Sequence, residues 1–88
     1  MKLKSGFVLH DVGGEHMAVA TGEALLKFNG MVRNNDTADF IFRQLLEDTT
    51  EEKIVDAMCA EYNAPRDVIA NDVRKVLAQL RKADLLDE

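Results

Sequence analysis

The strongest constraint on the fold of this 88-residue chain is a change of pattern near residue 35. Residues 6–33 are short apolar runs broken by glycine turns, which is typical of β-strands. Residues 35–83 instead repeat apolar side chains at helical spacing. A chain of this length forms one domain, covering residues 1–88. The sequence therefore predicts a small sheet followed by helices.

The pair Gly13-Gly14 predicts a two-residue hairpin turn, because both central positions of such a turn need positive φ. The turn pairs Val12 with Glu15 and His10 with Met17. A second turn at Asn29-Gly30 leads into a short third strand at 31–33, while 24–28 fits either a helical turn or an extended segment. We expect the core face of the hairpin to hold Val8, Val12, Met17 and Val19.

Three helices follow the strands, each with a recognisable start. Asn35 predicts the first N-cap, Thr49 with Glu52 predicts a capping box for the second helix, and Pro65 suits the first turn of the third. After the last helix, residues 85–86 can fold back onto the core. The predicted fold class is α+β: a winged helix-turn-helix-like domain with an N-terminal three-stranded antiparallel β-sheet followed by three α-helices.

Charge and composition argue against several classes of protein. The net charge is −5, and residues 36–63 carry eight acidic side chains against two basic ones. A concentrated basic face of the kind that binds nucleic acid is lacking. No apolar run approaches the roughly 20 residues that span a bilayer, so we expect no membrane segment. One cysteine and no secretory signal favour the cytoplasm.

The residue types that carry catalysis or bind metals are sparse. His10 and His16 fall on opposite faces of the predicted hairpin, and no second cysteine or carboxylate cluster completes a metal site. Cys59 lies in an apolar setting without a neighbouring base. We therefore predict no catalytic residues, no metal site and no cofactor.

Five stretches, in this order, resemble the PqqD family, whose fold is also called the RiPP recognition element. They are Gly13-Gly14-Glu15, residues 35–42, 49–55 and 60–62, and a last stretch made of 72–77 and 80–86. Together they cover nearly the whole chain. The sequence departs from the family at Asp84, where many members carry glycine.

The resemblance implies a peptide-binding role. Family members bind the leader segment of a ribosomally made precursor peptide and deliver it to a modifying enzyme, often a radical SAM protein. The leader is held as an extra strand on the third β-strand, beside the third helix. Which rim of that helix faces the peptide stays open. Carried onto this sequence, the leader-binding residues are Gly30, Met31, Val32, Arg33, Asn34, Ile69, Asp72, Val73, Lys75 and Val76.

Two other functions remain open at the level of sequence. One is a winged-helix DNA-binding or transcription-regulating domain, although its last helix would need clustered Arg, Lys, Asn or Gln side chains. The other is a structural subunit, such as a homodimer built by strand or helix exchange. We expect a peptide partner, an enzyme partner and no nucleic acid.

Overall fold

The computed structural model of the chain describes residues 1–21 and 31–88. The predicted turn at Asn29-Gly30 and the segment 24–28 lie outside these residues. Within them the strands are β1 (Lys2–Leu3), β2 (Phe7–Val12), β3 (Glu15–Ala20), β4 (Met31–Asn34) and β5 (Leu86–Asp87). The helices are α1 (Asp36–Gln44), α2 (Glu51–Glu61) and α3 (Arg66–Lys82). The predicted α+β class is confirmed, and within the described residues three helices follow the three-stranded sheet.

The antiparallel sheet has the strand order β2-β3-β4. Its hairpin turn has positive φ at both glycines, 58° at Gly13 and 81° at Gly14, as a type I′ turn requires. Val12 pairs with Glu15 and His10 with Met17, which confirms the predicted register.

The prediction of which hairpin face lies in the core is wrong. Val8 is 41% exposed, whereas Ala18 and Ala20 are buried and Phe7 and Leu9 pack against the core. Both faces of β2 are apolar, so the sequence of β2 alone does not determine which face is buried. The face is determined by β3, whose small alanines allow α1 to pack against it.

The three helices begin close to the predicted positions, with one correction. The Asn35 side chain accepts a hydrogen bond from the main-chain N–H of Ala38 at 2.8 Å, as an N-cap does. The second helix is capped by Thr50, which accepts from Lys53 N–H at 3.2 Å, and not by the predicted box at Thr49. Pro65 directly precedes α3.

The chain ends form a two-stranded sheet that the sequence did not predict. Lys2 pairs with Asp87 and Leu3 with Leu86. Leu3, Leu85 and Leu86 are buried in the same core as the helices, so residues 85–86 do fold back as expected. The most completely buried side chains of this core are Ile41, Leu45, Ile54, Val73 and Leu77.

Membrane insertion through a helix finds no support in the described part of the chain. None of its helices combines the length and the apolar character that a bilayer span needs.

Candidate functional site

Strand β4 forms one edge of the three-stranded sheet. It pairs with β3 on one side only, through His16 with Asn34, Met17 with Arg33, Ala18 with Val32 and Val19 with Met31. No strand of residues 1–21 or 31–88 pairs with its other side. An edge of this kind presents N–H and C=O groups to an incoming chain.

The hydrogen-bond pattern of the sheet determines which residues of β4 present those groups. Residues that flank a two-residue turn exchange main-chain hydrogen bonds, and antiparallel pairs then alternate between bonded and non-bonded. Counting from the pair of Val12 and Glu15, the main chains of His16 and Ala18 face β4. Their partners Asn34 and Val32 therefore face inward. The main-chain groups of Met31 and Arg33 point away from β3, toward the edge that no described strand covers.

A recess of about 220 Å³ lies where the end of β4 meets α1 and the second half of α3. Its walls are mostly apolar, and its polar members are Asn34 and Gln79. Asn34 is only 8% exposed, and its Nδ2 has no hydrogen-bond partner within the described residues. The residues that line the recess are Asn34, Ala38, Phe42, Val76, Gln79, Leu80, Ala83 and Leu85.

The structure separates the site residues predicted from sequence into three groups. Met31, Val32, Arg33 and Asn34 form β4, and Asn34 shares the recess with Val76. Ile69 and Val73 are buried in the core, 3% and 0% exposed. Asp72 is half-buried and Lys75 is exposed on α3, and Gly30 lies outside the described residues.

Sequence reasoning missed most of the recess. Its α1 members, Ala38 and Phe42, are four residues apart and so lie on one helix face. On α3, Val76, Leu80 and Ala83 extend one stripe by helical spacing. Following the stripe beyond Val76 would have found the α3 wall. The contribution of α1 depends on tertiary packing.

A polar cluster ties the hairpin to the first turn of α1. His16 bonds Asp11 through Nδ1 and Asp36 through Nε2, both at 2.8 Å. Arg43 donates from Nε to Asp39 Oδ2 at 2.7 Å and from a terminal nitrogen to Asp11 Oδ1 at 3.0 Å. Together these contacts join β2, β3 and α1.

The cluster shifts the pKa of three of its members, and the hydrogen bond to Asp39 raises the pKa of Arg43 above its ordinary value. The hydrogen bonds that the protonated His16 ring donates to Asp11 and Asp36 raise the pKa of His16 above its ordinary value of 6.5. The hydrogen bond with His16 and the charge of Arg43 lower the pKa of Asp11 below its ordinary value of 3.8. Each partner therefore favours the charged form of the other.

The same cluster corrects one argument from sequence. Asp11, His16 and Asp39 bring possible metal-ligand atoms within 4.8 Å of one another, so two carboxylates do lie beside His16. Arg43 already bonds the two aspartates, which makes the cluster a salt-bridge network. His10 and His16 do lie on opposite faces, as their pairing with Met17 and Asp11 requires.

An α+β domain with a free strand edge beside an apolar recess has the parts that peptide-recognition domains use when they bind by strand addition. The family model for coenzyme PQQ synthesis protein D (PqqD) matches residues 6–86. The chain belongs to the PqqD family. A search of curated proteins found no significant match.

Two solved structures share the fold. One is TbiB1 in complex with the TbiA(beta) leader peptide, with 28% sequence identity, a TM-score of 0.77, and coverage of 99% of this chain and 95% of that chain. The other is lasso peptide synthetase B1 complexed with the leader peptide. It is 17% identical, with a TM-score of 0.71 and coverage of 96% and 93%, and it supports the fold alone.

Proposed function

We propose that this protein is a peptide-binding chaperone for peptide modification. It holds the leader segment of a ribosomally made precursor peptide as an added strand on β4 and presents it to a modifying enzyme. The observation that carries the proposal is the outer edge of β4, which no strand of the described residues covers, beside the apolar recess. Membership of the PqqD family and the leader-peptide complex of TbiB1 support it.

In this proposal the edge of β4 and the recess have separate tasks. The outward main-chain groups of Met31 and Arg33 bond the peptide backbone, which gives affinity that does not depend on sequence. Alternate side chains of an added strand point to one face of the sheet. A side chain that enters the recess between α1 and α3 provides the selectivity.

The partners and location complete the proposal. The domain binds and does not catalyse, so the chemistry belongs to a partner enzyme, for which the family resemblance favours a radical SAM protein. We place the protein in the cytoplasm, where its free thiol at Cys59 stays reduced. A homodimer that paired two copies of β4 would block the peptide edge, so we expect the binding form to have that edge free.

The main-chain contact can be tested at Arg33. Replacement by proline removes an N–H that points away from β3, so the sheet is retained while the peptide loses a donor and meets the proline ring. We expect Arg33→Pro to weaken binding of a leader peptide, taken from a precursor encoded near the gene, by about tenfold or more. Calorimetric titration measures the affinity.

Arg33→Ala is the matched control, because it removes the same side chain and keeps the N–H. Amide NMR of the wild type with the same peptide should show shifts concentrated at 31–34 and beside the recess. Equal affinities of Arg33→Pro and Arg33→Ala would contradict strand addition on β4. Tight, salt-sensitive binding of duplex DNA would instead favour the winged-helix alternative.

A further inference from the structure

One residue that lines the recess carries a polar group that the described part of the protein does not satisfy. Asn34 is more than nine-tenths buried, and its Nδ2 lacks a hydrogen-bond partner within the described part of the chain. Buried amide donors are nearly always paired in native proteins, so an unpaired one at a binding surface points to a ligand. The position of Asn34 at the end of β4 puts this donor next to the proposed peptide edge.

The size of the recess fits a side chain better than a small-molecule ligand. Its volume of about 220 Å³ is below the range of roughly 300–1,000 Å³ that is usual for small-molecule sites. Asn34 pairs with His16, and it shares a sheet face with the buried Ala18 two residues along β3. A strand added to β4 keeps its main chain in the plane of the sheet, so the part that enters from this edge is a side chain.

The walls restrict the chemistry of that side chain. Phe42, Val76, Leu80 and Leu85 make the recess mainly apolar, which favours an apolar body. They also disfavour a carboxylate, because desolvation of a charge there has no opposite charge to offset it among the lining residues. The Nδ2 of Asn34 is itself buried, so the side-chain amide must rotate toward the recess to use this donor. The donor then favours a hydrogen-bond acceptor at the end of the entering side chain.

We propose that Asn34 is a specificity-determining residue, which selects a peptide side chain with an apolar body and an uncharged hydrogen-bond acceptor, as in glutamine, tyrosine or threonine. The selection rests on the proposed function, since the peptide must first add to β4. Asn34 then acts as a donor inside the recess, and hydrocarbon side chains of the same size leave that donor unpaired.

A displayed library of random 12-residue peptides, selected on the wild-type chain, provides the probe. We expect the enriched peptides to share one position with an uncharged acceptor side chain, and to bind Arg33→Pro less tightly than Arg33→Ala. If no peptide is enriched, or if the enriched peptides bind these two variants equally, the proposed function fails and the role of Asn34 fails with it.

A double-mutant cycle isolates the role of Asn34. It combines Asn34→Leu, a change of similar size, with replacement of the peptide's acceptor residue by the nearest hydrocarbon, such as Tyr→Phe or Gln→Leu. We expect the peptide change to weaken binding to the wild type about tenfold and to have little effect on the variant. Equal losses on both proteins would overturn the role of Asn34 and leave strand addition intact.

A measurement on the wild type keeps the inference testable if Asn34→Leu does not fold. The side-chain amide protons of Asn34 should shift downfield in NMR when the acceptor peptide binds, and should not shift in this way with its hydrocarbon counterpart. The same shift with both peptides would contradict a hydrogen bond from Nδ2 to the acceptor.

Discussion

At the scale of the residue, Asp84 shows how a departure from a family pattern is accommodated. Its φ is 60°, in the left-handed region that favours glycine. The turn is nonetheless complete: Leu85 N–H bonds the Leu80 carbonyl at 2.9 Å and Asp84 N–H bonds the Arg81 carbonyl at 3.0 Å, which is a Schellman motif. The aspartate replaces the glycine of many family members, and the structure shows a closed cap that keeps the strained φ.

Glycine at position 84 should relieve that strain. Asp84 also pairs with Lys4 at 2.7 Å, so its replacement by glycine alone would mix two effects. Asp84→Gly and Asp84→Ala remove the same carboxylate and differ mainly in their tolerance of positive φ. We expect the glycine variant to have the higher free energy of unfolding by about 1 kcal/mol, measured in urea. Equal stabilities would mean that the φ of this residue costs nothing.

At the scale of the element, the features that depend only on neighbouring residues were the ones predicted correctly. The glycine turn determined the hairpin register, and the Asn35 cap marked the start of α1. The cap of α2 was misplaced by one residue, because both threonines are good N-cap residues and only Thr49 has a glutamate three residues later, as a capping box requires. Thr49 instead uses its main chain, whose N–H bonds the Met1 carbonyl at 2.8 Å. That contact is non-local and leaves no signal in the neighbouring sequence.

The corrected cap leads to a direct comparison of two adjacent threonines. Thr50→Ala removes the acceptor of the Lys53 N–H and should lower the free energy of unfolding by about 1 kcal/mol. Thr49→Ala leaves this cap in place and should cost clearly less. Thermal or urea unfolding followed by circular dichroism measures both. A larger loss of unfolding free energy from Thr49→Ala than from Thr50→Ala would mean that Thr49 caps α2, as the sequence predicted.

At the scale of the whole molecule, the features that sequence reasoning missed join distant parts of the chain. The recess combines Asn34, Phe42, Val76 and Leu85, and the sheet of β1 and β5 joins the two ends. The edge strand was predictable, since the family resemblance implies it and residues 31–33 have strand character. The wall facing it was not, because the packing of α1 against α3 follows from the whole core.

The cluster around His16 joins the sheet to α1 and should make stability depend on pH. The folded protein raises the pKa of His16 above 6.5, because Asp11 and Asp36 favour the protonated ring. His16 therefore stabilises the fold fully below pH 6.5, and this contribution is lost as the pH rises through the higher folded value. We expect the difference in free energy of unfolding between the wild type and His16→Gln to shrink across that range.

His10 provides the control, because it is exposed on the opposite face of the hairpin, away from the cluster of Asp11, Asp36 and Asp39 around His16. His10→Gln should follow the wild type across the same pH range in urea unfolding.

Arg43 stays charged throughout, so its bonds to Asp11 and Asp39 retain part of the link between the hairpin and α1 when His16 is neutral. The hairpin should thus loosen from α1 at high pH without detaching. A difference between wild type and His16→Gln that stays constant with pH would show that the ring acts by packing and not by charge.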